Sequence, residues 1–123
     1  MNLNEMTKTT LRQNGYSEKI IRKTEEYLEP FKKGDFIIPQ QFAYVLGYNT
    51  DNEADFERAF LFLFKMVEAG YIMPAYYQRC PHCGEVGTRL FTDPEPQRGK
   101  LTCEFCGKEN SVDNNLFLIY CVV

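Results

Sequence analysis

Four of the five cysteines stand in two matched segments, Cys80-Pro81-His82-Cys83-Gly84 and Cys103-Glu104-Phe105-Cys106-Gly107. In each, two residues separate the thiols, so one tight turn can aim both sulfurs at the same ion. The trailing glycine permits the positive φ that closes such a turn. Backbone N–H groups inside the turn can donate to the thiolates and offset the negative charge concentrated there. Nineteen residues lie between the two segments, a spacing that suits a zinc site made from two turns. Four thiolates in a tetrahedron satisfy Zn²⁺ and leave no position open for water or substrate. Cys80, Cys83, Cys103 and Cys106 are therefore expected to hold one structural Zn²⁺. A domain of about forty residues cannot build a sufficient core alone, so the binding energy of the metal is largely folding energy. Iron in a four-thiolate site has the same geometry, and spacing leaves it open. A thioredoxin-like redox pair wants one such motif beside a βαβ pattern, and neither segment has that setting.

The remaining titratable groups add little chemistry. His82 is the sole histidine and sits inside the first turn, where its ring is expected to point away from a metal already satisfied by four sulfurs. Cys121, the leftover thiol, reads as a small buried hydrophobe. The chain shows no Gly-rich phosphate loop, and its carboxylates are scattered over surface-like positions. No catalytic residue, small-molecule substrate or further cofactor is indicated, and the expectation is a protein that is not an enzyme.

The elements that must position the cysteines follow from pattern. Asn4 to about Gln13 reads as a short helix with Leu3, Met6 and Leu11 as its apolar contacts, stopped at Asn14-Gly15. Ser17 can cap a second helix that gathers Ile20, Ile21, Thr24, Tyr27, Leu28 and Phe31 on one side. Pro30 and Gly34 close it, and Asp35 to Ile38 is extended. Pro39 suits the first turn of another short helix, with Phe42, Val45 and Leu46 inward and Gly47 as its stop. The longest helix is expected from about Glu53 to Ala69, with Phe56, Ala59, Phe60, Leu63 and Val67 as its core stripe. Tyr71 to Gln78 reads as a strand interrupted by Pro74. Beyond it come a strand at Glu85 to Phe91, a proline-stiffened loop through Thr92 to Gly99, the approach Leu101-Thr102 and the departure Ser111-Val112. A turn at Asp113 to Asn115 and a terminal strand from Leu116 to Val123 complete the order. A single boundary near Arg79 then divides residues 1–79 from residues 80–123.

Composition agrees with a packed α+β protein. The 123 residues are 44% hydrophobic and 15% aromatic, enough for a core without disulfides. No run of about 18 apolar residues suggests a membrane span. Met1 to Thr10 lacks the apolar centre of a signal peptide, so a cytoplasmic protein is the default. The net charge is −3, and four thiolates around one dication make it more negative still. No basic block is present to attract nucleic acid or an anionic membrane. Lys19, Arg22, Lys23, Lys32 and Lys33 interleave with Glu18, Glu25, Glu26 and Glu29, several at salt-bridge spacing, which is the pattern of a solvated face.

Helix, short strand, short helix, longer helix and β return is the order of a winged helix. The segment from Gly34 to Ile72 looks like that fold, and strands and turns around four cysteines resemble a zinc ribbon. The combination resembles the amino-terminal architecture of the archaeal and eukaryotic transcription initiation factor E, and small bacterial regulatory or phage-defence proteins with similar fusions. The resemblance implies a helical winged-helix domain followed by a small β zinc ribbon, with metal ligation at Cys80, Cys83, Cys103 and Cys106. It implies nothing about a contact surface.

A winged helix that reads DNA offers its third helix to the major groove, with cations or amides near that helix's start. Here the start is Asp51-Asn52-Glu53-Ala54-Asp55-Phe56-Glu57, four carboxylates ahead of Arg58. The acids suit the helix dipole and repel phosphate. A protein partner is therefore expected ahead of nucleic acid. Leu61 to Phe64 are consecutive apolar residues, which leaves Phe62 and Met66 over once Phe60, Leu63 and Val67 fill the core. Two expectations compete for this pair: a satellite cluster packed within the protein, or an exposed patch that receives a partner. The expected function is a non-enzymatic zinc-binding adaptor or regulatory subunit, the alternative a nucleic-acid-associated transcription regulator.

Overall fold

Each of the longer helices begins where a side chain can hold an otherwise unsatisfied amide. In the computed structural model, which describes residues 1–91, 100–111 and 116–123, Asn4 caps α1 (Glu5–Gln13) by accepting from the Thr7 amide. Ser17 caps α2 (Glu18–Leu28) in the same way through Ile20. A brief strand, β1 (Phe36–Ile37), leads into α3 (Pro39–Val45), whose proline occupies the first turn. Asn52 then caps α4 (Glu53–Glu68), accepting from the Asp55 amide. The strands follow as β2 (Ile72–Arg79), β3 (Val86–Phe91), β4 (Lys100–Thr102), β5 (Glu109–Ser111) and β6 (Leu116–Val122). In hydrogen-bonding order the larger sheet runs β1–β6–β2–β3 and the smaller one β4–β5. The fold is α+β, as expected. The loop expected over Thr92 to Gly99 and the turn at Asp113 to Asn115 lie outside the described residues.

The chain forms two compact units. The first comprises Met1–Met73 together with Tyr120–Val123, the second Pro74–Ile119. This differs from a single boundary near Arg79, because the last residues belong with the helices. The Val122 amide donates to the Asp35 carbonyl at 2.9 Å, the Gly34 amide donates to Val122 at 2.9 Å, and the Val123 amide donates to Tyr71 at 3.1 Å. Tyr120 sits opposite Ile37, and both are buried. A terminal strand carries no local mark of its neighbour, so the sequence pattern assigned it to the nearer cysteines.

Within the first unit the helices pack around aromatic rings. Phe62 is fully buried, with its ring centroid 4.9 Å from Tyr16 and 5.6 Å from Phe42. The core-facing residues of α4 are Ala59, Phe62, Leu63 and Met66. The expected stripe is therefore corrected: Phe56, Phe60 and Val67 are only half-buried, and Phe62 and Met66, both 0% exposed, replace them. Neither Phe62 nor Met66 can receive a partner, since contacts within the core already cover both. Met6, expected inward, is exposed, and Thr7 takes its place. The fully buried Thr24 satisfies its hydroxyl by donating to the Ile20 carbonyl.

In the second unit β2 runs through Pro74 without interruption. Among the described residues its registered pairs with β3 begin at Tyr76, two residues beyond the proline.

Candidate metal centre

Each cysteine pair sits at the tip of an antiparallel hairpin. Arg79 pairs with Val86 at the end of β2–β3, and Thr102 pairs with Glu109 at the end of β4–β5. Between these closing pairs both turns use one hydrogen-bond pattern. The Cys80 amide donates to Glu85 and the Gly84 amide to Cys80, at 3.0 and 2.9 Å; the Cys103 amide donates to Lys108 and the Gly107 amide to Cys103, at 2.8 and 3.0 Å. Gly84 and Gly107 adopt φ of +77° and +74°, the left-handed conformation that closes each turn and that other residues rarely adopt.

The turns bring four sulfurs from two hairpins to one place. The Sγ atoms of Cys80, Cys83, Cys103 and Cys106 all lie within 4.8 Å of one another. Cys80 and Cys106 are 3.7 Å apart, as are Cys83 and Cys103. A disulfide would need about 2 Å, and none of the five cysteines is in a disulfide. A tetrahedron with metal–sulfur bonds of about 2.3 Å has edges of about 3.8 Å, so the cluster fits an ion at its centre. The donor set is soft and complete, which suits a metal held for structure. His82 is exposed and stands outside the cluster.

The electrostatics show why a cation belongs there. The Cys83 and His82 amides hold the Cys80 thiol down at about 6 against desolvation. Amides of Cys106 and Phe105 likewise lower Cys103, with Sγ contacts of 3.5 and 3.4 Å. Cys83 is nevertheless raised to about 12: its bond from the Glu85 amide is outweighed by desolvation and the neighbouring Cys80 and Cys103 sulfurs. Backbone amides thus favour the thiolate at Cys80 and Cys103, while desolvation and neighbouring thiols disfavour it at Cys83 and Cys106. A central dication removes that conflict by stabilising all four thiolates together.

Two arrangements had no local signal in the sequence. The Arg58 guanidinium lies 4.0 Å from the centroid of the Tyr16 ring and donates to the Asn14 carbonyl at 3.0 Å. Tyr16 in turn donates from its hydroxyl to the Arg58 carbonyl at 2.5 Å. This cation is engaged inside the first unit, and its partners are far away in sequence. In the second unit the Tyr77 and Phe117 rings stack at 5.6 Å with 25° between planes, and Phe117 remains exposed.

Among the described residues, no helix is long and apolar enough to cross a membrane. No protein-family model, no curated protein and no solved structure matches the chain.

Proposed function

We propose that the chain is a non-enzymatic protein-interaction module, an adaptor or regulatory subunit, built from a winged helix and a zinc ribbon. The winged-helix part is the first unit. Its helices α2, α3 and α4, with β1 between α2 and α3 and a sheet ordered β1–β6–β2, support that reading. The ribbon is the second unit, two hairpins joined through four thiolates to one Zn²⁺. The single observation that carries the functional reading is the closed four-sulfur cluster. A metal with every position filled by protein holds loops in place and has no site for a substrate.

Protein is favoured over DNA as the partner by the charges of α4. Its first turn carries Glu53 and Asp55. Arg58 is turned onto Tyr16, and Lys65 pairs with Glu68 at 3.2 Å. A helix with those groups repels a phosphate backbone. The test has two parts. Metal analysis should return one zinc per chain, lost in Cys80→Ser. Binding to duplex and single-stranded DNA at two salt concentrations should be weak, while one protein co-purifies at fixed stoichiometry. Tight binding to DNA that falls steeply with salt would reverse the assignment.

The stacked Tyr77–Phe117 pair, with one exposed ring, favours a second reading as a nucleic-acid-associated transcription regulator. Exposed rings of this kind can stack on unpaired bases. In that case Phe117→Ala would abolish single-strand binding and leave the metal in place.

A further inference from the structure

We propose that the flank of α4 carrying the exposed Phe64 docks a basic amphipathic helix of the partner protein, an inference that rests on the interaction-module reading and specifies its partner. The residues that α4 gives to the core are Ala59, Phe62, Leu63 and Met66. Next to them around the helix, Phe56, Phe60, Phe64 and Val67 follow one another at spacings of four, four and three residues. At 1.5 Å per residue this stripe is about 16 Å long, three turns of helix. Phe64 is 55% exposed, and the other three are half-buried. Phe56 and Phe60 meet edge to face at 4.8 Å, so the N-terminal end of the stripe is already ordered.

The border of the stripe selects its occupant. Glu53 and Glu57 lie beside it, exposed, and neither forms an ion pair among the described residues. The cations of the helix lie beyond these carboxylates and are committed, Arg58 to Tyr16 and Asn14, Lys65 to Glu68 and, at 5.9 Å, to the Phe64 ring. An apolar ridge with unneutralised carboxylates along one edge repels phosphates and anionic lipid. It also disfavours a second copy pairing through α4, which would bring the same carboxylates and no uncommitted cation from that helix. The complementary surface is a helix with Leu, Met or Phe at positions i, i+3 or i+4, and i+7, and with Lys or Arg beside them to face Glu53 and Glu57. The apolar contacts supply the affinity, and the carboxylates set the orientation and reject acidic helices.

The test is to pan a display library of random peptides on the full-length, metal-loaded chain and measure the affinity of the selected peptides by fluorescence anisotropy. The selected family should carry Lys or Arg beside apolar residues at helical spacing and should bind more weakly as salt rises. Affinity should fall roughly tenfold or more in Phe64→Ser and in the double variant Glu53→Lys/Glu57→Lys. Both changes lie on the exposed side of α4, and an unaltered circular dichroism melt checks each fold independently of the other. The proposal is overturned by selected peptides without basic residues, by affinity that survives both variants, by no selected family, or by a dimer in sedimentation that Phe64→Ser dissociates. Peptides that bind but ignore both variants would sink this surface and leave the interaction module standing. Tight, salt-steep DNA binding with no peptide family would remove the module reading itself.

Discussion

Tyr16 and Arg58 connect α4 to the turn after α1 through a ring, a guanidinium and two carbonyls. Burial pushes the Tyr16 phenol up to about 12, so the folded state holds this proton more tightly than the unfolded chain, whose phenol titrates near 10. The stabilisation is complete below about pH 10 and is lost as pH rises towards about 12. Urea unfolding across that window should show stability falling with pH, and the fall should be shallower in Tyr16→Phe. A second contrast separates neighbours on one helix. Phe62→Ala should cost about 3–5 kcal/mol because it opens a cavity between Tyr16 and Phe42. Phe64→Ala, on the exposed side, should change stability by no more than about 0.5 kcal/mol. Thermal melts of the two proteins check both values. The four clustered cysteines were legible as single residues because their spacing is a local property. The Tyr16–Arg58 contact was not, since it joins residues far apart in the chain.

The helices and turns were legible where a local device fixed them. Asn4, Ser17 and Asn52 mark three helix starts, and Pro39 marks a fourth. The facing of α4 was misread for a physical reason. Leu61 to Phe64 are all apolar, and with Phe56, Phe60 and Val67 they satisfy two stripes that share Ala59 and Leu63. Helical periodicity cannot choose between them. The choice is made by the Tyr16 and Phe42 rings, which close on Phe62 from α3 and the segment before α2. The cysteine turns present the opposite case, in which short spacing dictates the element. A Cβ placed on Gly84 or Gly107 meets nothing within 4 Å, so Gly→Ala there tests conformation without a clash. Each replacement puts a left-handed strain of about 1 kcal/mol on its turn. It should weaken metal retention several-fold in competition with a chromogenic chelator.

At the scale of the whole molecule, the first unit is finished by residues that follow the second. Tyr120 and Val122 are buried in it, and the Asp35, Gly34 and Tyr71 backbones bond to the final two residues. Deleting Tyr120–Val123 should therefore destabilise α1 to α4, read as a lower helical melting temperature, although no helix residue is removed. Stripping the metal should act elsewhere first. Amide exchange should accelerate around Cys80 to Gly107, while the amides of α2 and α4 stay protected. The interrupted first unit also constrains how the protein is made. During synthesis the helices emerge early, but the strand that closes their sheet leaves the ribosome only after the whole of Pro74–Ile119. Joining β2 to β6 across an unstructured interval of that length costs about 3 kcal/mol in loop entropy. A metal that has already folded the interval shortens the effective loop. Maturation of the helical unit would then depend on metal supply, although all four clustered cysteines lie outside the helices. Refolding followed by circular dichroism should be faster with zinc present than with a chelator.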